Sequence, residues 1–199
     1  QQITIYGSLN IEGVEKNTKI KELKIYLSDQ SSRLGYLNIS DVEMETIWFE
    51  LINPGSFDIT DSILKDIRDF WVFTPAESSS IQRNIFQNST TLLVKTRGAP
   101  LVVRNNVFLS VTPPSLDFWT EGAVNSWMNN SSAVDLTVEF NSFLDTDNVA
   151  LSLQEGATSP AMNGANNYFG TTDESEIESR ILDRNDDLKY SSIIDFIPF

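Results

Sequence analysis

The 199-residue chain contains no cysteine and no histidine. The first absence removes disulfides and thiol chemistry. The second removes imidazole bases and every histidine-dependent triad, and together they remove the usual zinc sites. Positive charge is also scarce: 14 Lys and Arg stand against 28 Asp and Glu, a net charge of −14. Such a surface repels phosphate backbones and anionic lipid, so nucleic acid is not an expected partner. No apolar run reaches the ~18 residues a spanning helix needs, so no membrane insertion is expected.

What the chain does have is enough apolar material for a core, 40% of its residues, and a recurring polar interruption. Asn84, Asn106, Asn141 and Asn167 are each followed two residues later by a phenylalanine: Phe86, Phe108, Phe143 and Phe169. Ile81, Val103 and Val138 precede three of them by three residues. The Asn-to-Asn gaps are 22, 35 and 26, and Ile59, Ser62 and Leu64 continue the frame 22 residues earlier. A fixed period in the low twenties is the mark of a repeat built from stacked units. Between the Asn positions lie second strand-like runs, DFWVFT (69–74), TLLVKT (91–96), LDFWT (116–120) and VALSLQ (149–154).

The apolar residues fall in short β-branched and aromatic runs, not at helical spacing. The pattern therefore predicts an all-β chain: a parallel β-helix solenoid with three short strands per coil, stacked at roughly 4.8 Å. The 35-residue gap assigns its excess to a loop after Thr120. The Asn residues are expected at tight bends near the left-handed region, with their buried amides hydrogen-bonded along the stack. TKIKELKIYLS (18–28) allows a strand pair or a helix, and its alternating lysines favour a half-exposed strand.

The end of the chain is NNYFGTTDESEIESRILDRNDDLKYSSIIDFIPF (166–199). Thr171-Thr172-Asp173-Glu174 has the form of a capping box, Ile177 and Ile181 give an apolar stripe, and 193–198 reads as a closing strand. With this ending the chain resembles the right-handed parallel β-helix, or pectin-lyase-like, superfamily, and within it bacterial secreted and cell-surface β-helix repeat proteins. The resemblance implies about six to seven coils, a short C-terminal capping helix and strand, and an extracellular or cell-surface setting. On this reading, residues 1–199 form a single β-helix domain: 1–35 irregular early coils, 36–170 coils with the Asn ladder, and 171–199 the cap.

In enzymes of that fold the substrate lies along the first strand of each coil, here 46–52, 70–74, 92–96, 116–120 and 149–154. One strand parity turns Trp48, Glu50, Trp71, Phe73, Leu93, Lys95, Asp117, Trp119, Leu151 and Leu153 outward. The other turns out Phe49, Leu51, Val72, Val94 and Phe118. Either leaves an aromatic strip, which a loop of the chain covers or a partner occupies. The ligand-binding candidates are Trp48, Trp71, Phe73, Lys95, Asp117 and Trp119, with Trp127 from the 121–133 loop. Planar aromatics at strand spacing suit sugar faces and protein hot spots alike.

Charges on the strip are too sparse for a catalytic set, so no catalytic residue is assigned. DTDN (145–148) and DRNDD (183–187) fail the EF-hand frame, and no metal site or other cofactor is assigned beyond weak surface Ca²⁺ binding. The expected function is a non-catalytic extracellular module that binds a glycan, a protein partner or a second copy of itself. A polysaccharide lyase or epimerase of the same fold is the alternative. A structural subunit of a surface appendage or virion is another.

Overall fold

The computed structural model describes residues 2–5, 8–13, 18–28, 35–73, 75–95, 99–111, 122–126, 136–144, 149–153, 162–190 and 192–199. Along the chain run β1 (Gln2–Ile5), β2 (Ser8–Glu12), β3 (Lys19–Ser28), β4 (Tyr36–Ser40), β5 (Glu43–Ile52) and β6 (Ser56–Thr60). They are followed by β7 (Ile63–Lys65), β8 (Asp69–Phe73), β9 (Ser79–Gln82), β10 (Ile85–Gln87), β11 (Leu92–Lys95) and β12 (Leu101–Arg104). Then come β13 (Val107–Leu109), β14 (Val124–Ser126), β15 (Leu136–Glu139), β16 (Ser142–Phe143), β17 (Leu151–Leu153), α1 (Glu174–Glu178) and β18 (Ile181–Leu182).

The molecule is mostly β, and its strands pair in parallel. The spacing expected from the Asn positions is the spacing of the pairs: Ile85 sits on Ile63 and under Val107, and Leu92 on Phe70, each 22 residues apart. Strands β2, β4, β6, β9, β12 and β15 form one sheet. The second sheet curls. Its strands β3 and β5 turn a corner at Glu22 and Thr46, both at positive φ, so each belongs to two strand columns. Residues 43–45 of β5 pair with β7, and 48–52 pair with β8.

Alternation along each strand sends one set of side chains inward. Phe49, Phe70, Val72, Leu92, Val94, Val124, Leu151 and Leu153 are all buried on one strand column. Leu151 and Leu153 pair in register with Val124 and Ser126, so they are core residues and do not join the outward strip. A file of rings runs through the interior, with centroids 4.7 Å apart for Phe86–Phe108, 4.9 Å for Phe108–Phe143 and 5.6 Å for Phe143–Phe169. Stacking in this geometry adds to plain area burial.

The Asn residues form the expected ladder. Asn106 Oδ1 accepts from the Asn84 backbone N–H at 2.9 Å and from Asn84 Nδ2 at 3.1 Å. Asn141 serves Asn106 the same way, and Asn167 serves Asn141. Each amide also donates to a buried carbonyl, as Asn106 does to Ile81 O at 2.9 Å. The bend itself is made by a different residue. Arg83, Asn105, Phe140 and Asn166, each just before a ladder Asn, hold the positive φ, while the ladder Asn fills the inside of the corner.

Further expectations are corrected. The strand stacked on β11 is β14, in place of 116–120, which lies outside the described residues; Gly122 precedes β14 at φ 90°, its carbonyl accepting from Thr91 Oγ1 at 2.7 Å. Val124 pairs with Leu92 and Leu136 with Leu101, 32 and 35 residues apart, so ten of the extra residues enter before β14 and three after it. The helix cap is Asp173, which accepts from the N–H groups of Ser175 and Glu176, and Ile181 leaves the helix to form β18. The 193–198 segment carries a single bridge, Asp195 to Asn163, instead of a strand.

Candidate functional site

The outward face of β5, β8 and β11 is where aromatic side chains meet water. Its register is fixed from within: the buried pairs Phe49–Phe70 and Leu51–Val72 lock β5 to β8, so the intervening residues must point away from the core. Three outward columns result. The first holds Lys24, Trp48 and Asp69; the second Tyr26, Glu50, Trp71 and Leu93; the third Ile52, Phe73 and Lys95. Trp48 therefore stands beside Asp69, and Glu50 beside Trp71, which makes a checkerboard of indoles and carboxylates.

Exposure differs along the face. Trp71 is 36% exposed and lies on the Phe73 ring with centroids 6.1 Å apart. Trp48, Glu50, Asp69, Phe73 and Lys95 are half-buried. From β11 onward the second column closes: Leu93, Asn125 and Ser152 are buried, and Asn125 Nδ2 donates to Ser152 Oγ at 2.7 Å. Among the described residues, the open part of the strip is therefore confined to β5, β8 and the end of β11. Of the sequence candidates, the structure brings together Trp48, Trp71, Phe73 and Lys95. Asp117, Trp119, Trp127 and most of the 121–133 loop lie outside the described residues, as does DTDN (145–148).

Sequence reasoning judged the strip's charges too sparse, and the register shows why that was incomplete. Lys24 Nζ reaches Glu50 Oε1 at 2.5 Å across two strands. Burial pushes the Asp69 carboxyl above its ordinary value, the Glu50 charge pushes it further, and Lys24 offsets part of this. Asp69 was missed because the first-strand reading began at residue 70. Lys24 was missed because β3 pairs with β5 at an offset of 24, outside the 22-residue frame.

Elsewhere, Asp183 and the Arg83–Asp61 pair make structural contacts. Asp183 is buried, with Oδ1 accepting from Asn185 N at 2.7 Å and Oδ2 from Ile194 N at 2.7 Å, so it ties the DRNDD turn to the tail. Arg83 holds Asp61 through two bonds of 2.7 and 2.6 Å. Among the described residues no three Asp or Glu side chains gather as a metal-binding group. No protein-family model, no curated protein and no solved structure matches the chain.

Proposed function

We propose that the chain is a right-handed parallel β-helix solenoid of the pectin-lyase-like type, and that its β5–β8–β11 face is a non-catalytic binding surface used outside the cell. The 22-residue pairing, the three strand columns and the continuous Asn and Phe files support the solenoid reading. The single observation that carries the binding reading is Trp71. Its 36% exposed indole stacks on Phe73 and neighbours Trp48 on the same face, and such a grouping of aromatics supports a docking surface.

Catalysis is the second reading, because the raised Asp69 carboxyl shares the face with Glu50 and Lys24. It ranks lower because the lysine a lyase would use as base is engaged by Glu50 at 2.5 Å.

Arrays of neutral and acidic oligosaccharides and of extracellular proteins test both readings. The binding reading expects at least one ligand that the Trp48→Ala/Trp71→Ala double variant no longer retains, with circular dichroism unchanged. A set of ligands indifferent to both indoles would refute it. Release of unsaturated sugar ends from an acidic polysaccharide would replace it with the catalytic reading.

A further inference from the structure

The checkerboard on β5 and β8 has a chemistry of its own. Diagonal neighbours across paired strands have anchor points about 7–8 Å apart, roughly twice the stacking distance of a planar group. Trp48 and Trp71 are such a diagonal pair, and Glu50 and Asp69 are the other. A flat cation seated between the indoles would lie against two π faces and reach a carboxylate on either side. Glu50 already has its cation in Lys24, whereas the Asp69 carboxyl has no ion-pair partner among the described residues. Its proton affinity stays raised, by burial and by Glu50, because Lys24, bonded to Glu50, offsets only part of the shift. The −14 surface draws basic partners and repels the acidic glycans that its aromatic face would otherwise suit.

We propose that the Trp48–Asp69–Trp71–Glu50 checkerboard receives an arginine side chain of a protein partner, the guanidinium stacked between the indoles and paired with Asp69. The inference rests on the reading of this face as a binding surface and names its partner. Arginine is favoured over lysine because only the planar guanidinium can stack on both rings while donating to a carboxylate in its plane.

Titration of the full chain with tetra-arginine, tetra-lysine and tetra-glutamate amides at fixed physiological salt tests this, with tryptophan fluorescence as readout. Tetra-arginine is expected to bind best, with Asp69→Asn and Trp71→Ala each weakening it about tenfold or more. Asp41→Asn removes the same charge from an exposed left-handed bend between β4 and β5, where Asn is tolerated, and is expected to change affinity less than twofold. Equal losses for Asp69→Asn and Asp41→Asn, equal affinity for arginine and lysine peptides, or no binding would overturn the proposal. A neutral oligosaccharide whose binding needs Trp71 but not Asp69 would overturn it too, and would leave the binding-surface reading standing.

Discussion

Asn106 takes part in hydrogen bonds to residues on both sides of it in the ladder, through its backbone and its side chain. Cutting the side chain to Asn106→Ala strands the Asn84 N–H and one amide hydrogen of Asn84 below, the Ile81 carbonyl, and part of the Asn141 acceptor above. Each buried group left unpaired costs about 1–3 kcal/mol, so the variant is expected to lose roughly 3 kcal/mol or more in urea unfolding. A loss under about 1 kcal/mol would mean that water enters the corner and replaces the amide. The existence of this ladder was legible from spacing alone, because the period of the Asn residues is the period of the stack. The residue that bends the chain was not legible. Positive φ falls on Arg83, Asn105, Phe140 and Asn166, of which only the two asparagines favour that region by themselves. Their conformation is imposed by strands pinned on either side, and a bulky Phe140 in that region is tolerated only because those neighbours over-determine it.

At the scale of elements, pairing register overrides local β-propensity. LDFWT is richer in strand formers than VNS, yet VNS is the stacked strand because Val124 continues the file of Leu92 and Leu151. Composition cannot show which of two nearby runs meets a neighbour that lies 32 residues away. The inward files were easier to read, since their Phe residues repeat with the ladder. These files give a nearest-neighbour prediction. Phe108→Ala should cost about 3–5 kcal/mol, and Phe143→Ala a similar amount. Because the two rings stack at 4.9 Å, their double variant should depart from additivity by about 0.5–1.5 kcal/mol. Phe49 stacks on Phe70 at the other end of the file, and a Phe49→Ala/Phe143→Ala pair should add within about 0.5 kcal/mol. Coupling of equal size in both pairs would show that the core rearranges as one body instead of ring by ring. The five-residue helix shows the opposite dependence. It is too short to persist alone, and it is held by the Asp173 cap and the buried Ile177.

For the whole molecule, the net charge of −14 makes pH the informative variable, and Glu43, Asp61 and Asp69 fall into two opposed classes. Hydrogen bonds from Lys65 and Lys19 hold the Glu43 carboxyl below its ordinary value of 4.5, and Arg83 holds Asp61 below 3.8. A depressed carboxyl stabilises the folded state above its unfolded pKa and loses that contribution as pH falls through the folded one. Asp69 is raised above 3.8, so its ionised form opposes folding at neutral pH, and acidification through the raised value relieves the cost. Asp69→Asn should therefore raise Tm at pH 7, with the gain vanishing as pH drops towards 3.8. Glu43→Gln should lower Tm at pH 7, with the deficit vanishing only below 4.5. Salt should shrink the Glu43 effect more than the Asp69 effect, because exposed ion pairs are screened and desolvation is not. Thermal melts of the two variants between pH 3 and pH 7, at low and physiological salt, decide it. An Asp69→Asn variant less stable than wild type at pH 7 would show that the carboxylate already has a cation in the unliganded protein, and the arginine proposed for that place would have no vacancy to fill.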